Sequence, residues 1–472
     1  MKNKTNLLIL LLVFSNICIN AELRVASILG DNMVLQRNSE VKLWGTANPN
    51  ETVTILASWT KTRIKTTSNE NGHWLVKVKT GKAGGPYEMT FKAGKESVKI
   101  TNILFGEVWI CSGQSNMQMP VEGFTDQPIN GSFDLLMNAN NDKIRLFTVG
   151  LLSIDTPQDT CRGKWSIANA KSVAKFSAVG YLYAKQLFQG LNIPIGMIST
   201  NWGGSRVEAW MDKETLSNYP EALAETSTPK TTPNQRASAL YNGMISPILN
   251  YKIKGAIWYQ GESNVTNYNQ YADMLNSMVS NWRNKFDSGD FPFYYVQITP
   301  FAYVNRGNSQ LLREQQVKAL SMIKNSGMAS TIDLGNETSI HPSEKVTVGK
   351  RLAAYALAET YQFEGLPYKT PEYKNVVLKD SVATIQFENA SQGLTTFGKT
   401  INCVVAAGSD SVFYPATAKI ISKGQLRVTS DRVKHIIAVR YAFSNFPRTE
   451  GYLYNTLGLP VPSFRTDNWV VK

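Results

Sequence analysis

At Gly106 the chain changes its hydrophobic period, and that change restricts its architecture more than any other feature. Before it, from about Glu22 to Leu104, segments such as "VKLWG", "TVTILAS", "HWLVKVKT", "YEMTFKAG" and "SVKITNI" alternate apolar with polar residues. Turn formers, Asn48-Pro49-Asn50 and Gly84-Gly85-Pro86 among them, separate these segments. Closely spaced strands with one polar face predict an all-β region of sandwich type. After Gly106, continuous apolar runs alternate with segments of helical spacing, the pattern of a parallel sheet flanked by helices. The predicted strands cover 108–111, 194–200, 256–259, 293–299 and 328–334. Between them, Phe176, Val179, Tyr183 and Leu187 mark one helix face. Tyr271, Leu275, Met278, Trp282 and Phe286 mark another. Toward the C-terminus alternation returns in "VATIQFENA", "KIISKGQLRVTS" and "HIIAVRYAF". The expected organisation is β over 22–104, α/β over 105–362 and β again over 363–472.

The first 21 residues, "MKNKTNLLILLLVFSNICINA", join two lysines, a leucine-rich run and a small final residue. They predict a secretory signal peptide cleaved before Glu22. The run is short for a membrane span, and no later segment approaches ~20 uninterrupted apolar residues. The mature chain is therefore expected to be exported, periplasmic or extracellular, with no membrane insertion. Losing that segment takes Lys2 and Lys4 from a net charge of +13, leaving +11. It also takes Cys18, leaving Cys111, Cys161 and Cys403. Three cysteines exclude a complete disulfide framework; one bridge with a free thiol, or none, stays open. The positive charge is spread along the chain with no polybasic run, so no nucleic-acid partner is expected. Three histidines in three separate regions, with no paired-cysteine spacing, predict neither metal nor cofactor.

Ligands of open α/β sheets bind beyond the carboxyl ends of the strands. The segments there are Gly113-Gln114-Ser115-Asn116, then "NWGGS" (201–205), "QGESN" (260–264) and "GNETSIHPSEK", which holds His341. A lone serine just past a strand is a candidate nucleophile, and it needs a base. His73 lies in a turn of the N-terminal β region and His435 opens a strand of the C-terminal one. His341 alone falls at the correct edge of the α/β sheet. Pro342 after it, at the favoured first position of a helix, predicts that His341 sits just ahead of a helix N-terminus. The helix dipole would then hold the ring neutral. For the developing oxyanion, the N–H of Ser115, an N–H from Gly203-Gly204 and the side-chain amide of Asn264 are the candidate donors.

These blocks, "GQSN", "NWGG", "QGESN" and "IHP", resemble the ordered motifs of the SGNH hydrolase superfamily. More narrowly, "NMVLQR", "GEVWICSGQSNMQMP", "IWYQGESN", "IDLG…IHP…K…VGKRLA" and "GLPVPSFRTDNW" resemble the sialate O-acetylesterase family of carbohydrate esterases. The likeness spans nearly the whole mature chain. It implies a three-layer α/β/α, flavodoxin-like hydrolase domain flanked by β-sandwich-like regions. It also implies a serine esterase that deacetylates O-acetylated sugars. Carried over, Ser115 is nucleophile and His341 base; Ser115 N–H, Gly204 N–H and Asn264 form the oxyanion hole. The pattern departs at the third member, since Thr338 stands three residues before His341 and Ser339 two before. Asp333 and Glu337 are the candidates to orient the ring, with a backbone carbonyl as the alternative. Arg206, beside the Gly-Gly turn, could pair with the carboxylate of an acidic sugar or with Glu208. Gln114, Gln260 and Glu262 either line the substrate pocket or fix loop geometry. Trp202, Trp210 and Trp258 could face the saccharide or fill the core. An esterase for plant polysaccharide acetyl groups, and a glycan-binding protein without activity, are the competing functions.

Overall fold

The computed structural model describes residues 22–304 and 307–471, and the predicted signal peptide lies outside them. At its centre is a twisted sheet built from seven strands. In chain order they are β1 (Glu96–Gly113), β2 (Asn141–Thr148), β3 (Trp165–Ala168), β4 (Ile195–Asn201), β5 (Gly255–Tyr259), β6 (Phe293–Val296) and β7 (Ser326–Ala329). They lie in the order β3-β2-β4-β1-β5-β6-β7. Every neighbouring pair is parallel except β3 with β2. From β1 the chain goes to β2, β3 and β4 on one side, and β4 then crosses to β5 on the other, so the carboxyl end of β1 opens a crevice between diverging connections.

Both faces of this sheet are buried, and side-chain alternation decides which layer each residue joins. Trp109, Cys111, Ile257, Tyr259, Tyr294 and Val296 pack with helices α2 (Ala178–Leu191) and α5 (Val346–Tyr355). Ile110, Ala256, Trp258, Phe293 and Tyr295 pack on the other face with α3 (Tyr271–Phe286), where Met274, Leu275, Met278 and Trp282 form the apolar stripe. Helix α4 (Ser309–Met322) completes that layer. The helix face predicted at Tyr271, Leu275, Met278, Trp282 and Phe286 thus lies on this helix. The predicted 328–334 strand is shorter, because Leu334 N–H closes a turn onto Thr331.

The boundary expected at 104/105 falls inside β1, which is 18 residues long. Its first half pairs antiparallel with Gly84–Ala93, and Leu104–Gly106 pairs parallel with Val34–Gln36. Its second half is the middle strand of the central sheet. The N-terminal β region therefore continues into the central sheet without a linker. A buried apolar cluster running from Leu23 to Met328 joins the two.

At the C-terminus two four-stranded sheets enclose a separate core. Ile332, from the segment after β7, is buried in that core. Arg313 on α4 is wholly buried and donates to Ser309, Ser444 and Ser463. Arg465 forks onto Glu314 at 2.7 and 2.8 Å. The three cysteines of the described residues are all free thiols. No helix among these residues is long and apolar enough to cross a membrane.

Candidate active site

Beyond β1 the chain turns into the one-turn helix α1 (Ser115–Gln118). Gly113, at φ +136, makes that turn between two neighbouring strands; a Cβ there would lie 2.1 Å from the Tyr259 carbonyl. The turn lifts Ser115 out of the buried strand, half exposed, while Ser112, Gln114 and Asn116 stay buried. Ser115 Oγ lies 2.7 Å from His341 Nε2, across 226 residues of sequence. The two groups proposed for chemistry are thus hydrogen-bonded to each other.

His341 Nδ1 lies 2.7 Å from Gln127 Oε1. An amide oxygen only accepts, so Nδ1 carries the proton and Nε2 presents its lone pair to the Ser115 hydroxyl. Gln127 comes from the loop after α1, where Phe124 and Gln127 exchange backbone hydrogen bonds. The Phe124 ring meets the imidazole edge-on, with centroids 5.4 Å apart. Burial, and then the Lys345 ammonium, push the His341 pKa from 6.5 down to about 4. The ring is therefore neutral and able to accept a proton across the neutral range.

Neither acid expected on the ring is there. Asp333 is held by Arg351 in a bidentate pair, both contacts at 2.8 Å. Glu337 pairs with Arg448 of the C-terminal region. Ser339 serves only the backbone of His341, at 3.1 and 3.3 Å. The expected helix start also moves. Helix α5 begins at Val346, five residues after His341, because Ser343 and Lys345 form a turn that receives the Asn130 N–H. Burial and Lys345, rather than a helix dipole, keep the ring neutral.

The Gly203-Gly204 turn lies against Ser115. A Cβ on Gly203 would stand 3.3 Å from Ser115 Cβ, and Gly204 adopts φ +71. Gln118 takes the Gly203 N–H at 2.6 Å, while Asn234 and Gln235 donate to the Gly203 and Gly204 carbonyls. These contacts fix the turn and leave the Gly204 N–H without a partner among the described residues. Asn264 is fully buried. Its oxygen accepts from Val207 N–H and Gln260, and its Nδ2 donates to Glu208 at 2.9 Å. Glu208, a carboxylate whose pKa burial raises, also receives Asn267 at 2.9 Å.

Of the residues weighed as pocket lining, Gln114, Gln260 and Glu262 are buried and engaged with protein. Gln114 Oε1 accepts from Gly261 and Ser263 N–H; Gln260 Nε2 donates to the Ser205 carbonyl. These contacts fix loop geometry, while Glu262 Oε2 is buried with no partner among the described residues. Arg206 pairs with Glu225 at 2.6 Å, not with Glu208, and its Nε is buried without a partner among the described residues. Trp210 and Trp258 are core residues with T-shaped rings 6.0 Å apart; Trp202 is half-buried. Gln127, Glu208 and Lys345 went unassigned from sequence. For Gln127 the signal was absent, since its loop has no period and reaches His341 only through tertiary packing. Lys345, a lone cation just ahead of an apolar helical pattern, was legible.

A hydroxyl, a neutral imidazole beside it and unpaired backbone N–H groups nearby can attack an ester carbonyl and hold the resulting oxyanion. Comparison with known proteins agrees with that chemistry. A family model described as carbohydrate esterase, sialic acid-specific acetylesterase, matches residues 105–358, more than half of the chain. The sialate O-acetylesterase of Mus musculus is 29% identical, over 97% of this chain and 97% of its own. That of Homo sapiens is 28% identical, over 93% and 92%. A carbohydrate acetylesterase from Xanthomonas citri superposes with a TM-score of 0.86 at 33% identity, covering 94% of this chain and all of its own. The chain belongs to this family of carbohydrate esterases and is a carboxylic-ester hydrolase.

Proposed function

We propose that this chain is a serine esterase of the SGNH type that removes O-acetyl groups from sugars, with O-acetylated sialic acids as its substrates. Ser115 Oγ attacks the acetyl carbonyl as His341 Nε2 takes its proton, and Gln127 holds the imidazolium by accepting from Nδ1. The N–H groups of Ser115 and Gly204, with Asn264 Nδ2, receive the oxyanion; Glu208 aims the Asn264 amide. His341 returns the proton to the departing sugar oxygen. Water, activated by the same ring, then releases acetate from the acetyl-enzyme. The β regions at 22–104 and 363–472 frame the saccharide cleft around the 105–362 catalytic region, and the first 21 residues direct export.

The observation that carries this reading is the 2.7 Å contact between Ser115 Oγ and His341 Nε2. The substrate class is supported by the family match and by the two mammalian relatives. The test is acetate release from an O-acetylated sialic acid by wild type and Ser115→Ala. A loss of roughly 10³-fold or more in kcat is expected for a missing nucleophile. Activity only on acetylated xylan or pectin would replace the substrate and keep the mechanism.

A further inference from the structure

Beside the Ser115–His341 pair, three polar side chains are buried as a chain. Lys345 Nζ donates to Asn116 Oδ1 at 2.5 Å, and Asn116 Nδ2 donates to Glu262 Oε1 at 2.5 Å. Asn116 Nδ2 also donates to the Ile340 carbonyl at 3.0 Å. Lys345 and Asn116 are 0% exposed and Glu262 is 6% exposed. Glu262 Oε2 is buried with no partner among the described residues. A buried ammonium and carboxylate are costly to desolvate and persist only when each is compensated. Here one amide bridges them, accepting from the cation and donating to the anion.

The three residues come from three of the four segments that build the site. Asn116 follows Ser115, Lys345 lies four residues after His341, and Glu262 lies two residues before Asn264. We propose that Lys345, acting through Asn116 and Glu262, is a positioning residue that locks the Ser115 and His341 segments together and sets how readily His341 accepts a proton. The proposal rests on the catalytic reading above. The groups facing Lys345 are Glu262 from the β5 loop, Glu344 and His341 from its own segment, and Tyr259, whose ring centroid lies 5.7 Å from Nζ. Glu262 in turn faces Tyr259, Tyr271 and Tyr303. Burial pushes the Lys345 pKa down to about 7 against the opposing pull of Glu262. Below that pH the ammonium repels a forming imidazolium; above it the repulsion is gone. The rate should therefore rise through about pH 7, well above the range where His341 itself titrates.

The experiment is the pH dependence of kcat and kcat/KM on a neutral acetyl ester, for wild type, Lys345→Met, Glu262→Gln and the double variant. In Lys345→Met, kcat should fall about tenfold to a hundredfold from misplacement of the reacting groups, with KM within about twofold. The step near pH 7 should vanish. In Glu262→Gln, which keeps the hydrogen bond but removes the counter-charge, the step should move to lower pH. The double variant holds no unpaired buried charge and carries the test if Lys345→Met does not fold. A step that persists without Lys345, or a kcat unchanged in folded Lys345→Met, overturns the proposal even if melting temperature drops. Ser115→Ala is run alongside. Wild-type activity in that variant overturns the catalytic reading and the relay together, whereas its inactivity beside an unchanged Lys345→Met profile overturns the relay alone.

Discussion

Because an amide oxygen accepts the Nδ1–H of His341, the imidazolium of the proposed mechanism gains no opposite charge from its orienting partner. Gln127 fixes the tautomer but adds little to basicity. The folded-state pKa is depressed, so the neutral, active ring exists above about pH 4 and is lost as pH falls through that value. The lowest acid limb of kcat/KM is thus expected near 4, well below the 6.5 of a free imidazole. Gln127→Glu places a carboxylate against Nδ1 and should raise that limb by about one to three units. Gln127→Ala should lower kcat without moving the limb upward. A pH–rate series on the two variants checks both. Ser115 and His341 could be read from sequence, since a strand end and the count of three histidines left few choices. Asp333, expected as an orienting acid because it follows the fifth predicted strand, is claimed instead by Arg351, 18 residues downstream.

At the scale of elements, the turn between β1 and α1 depends on one glycine. Gly113 sits between Asn201 on β4 and Tyr259 on β5, at a φ that side chains rarely adopt. Gly113→Ala should cost about 1–3 kcal/mol for the backbone alone. The clash with the Tyr259 carbonyl adds to that and pushes the β1 end from its neighbour. A lowered melting temperature, together with loss of activity in the fraction that stays folded, is the expected result. Helix α3 was legible from its helical period, and the strands β1, β4 and β5 from the continuous apolar runs that burial on both faces produces. Strand β2 was not predicted: "NDKIRLFT" mixes charges with its apolar residues, and the sheet accepts it through backbone pairing to β4. The helix start at Pro342 was displaced for a different reason, the Ser343–Lys345 turn that receives the Asn130 N–H.

On the scale of the molecule, the composition shift near residue 105 is real, but it marks a change of packing partners rather than a joint. Trp165 donates to the Ile28 carbonyl and Tyr251 to that of Val34, so the N-terminal strands are tied to the layer that carries the site. A fragment beginning at residue 105 should be insoluble, or lack a cooperative thermal transition, when compared with the mature chain by calorimetry. The C-terminal sheets hold the segment leading to His341 through buried Ile332 and the Arg448–Glu337 pair. The uninterrupted run of β1 has one more effect. Side chains beyond the left-handed Asn102 alternate between faces, so deleting one residue between 103 and 112 would carry a half-turn error forward along the strand. Either the early pairing or the placement of Ser115 would have to be surrendered, which makes the strand a ruler whose length is set at one end and read at the other.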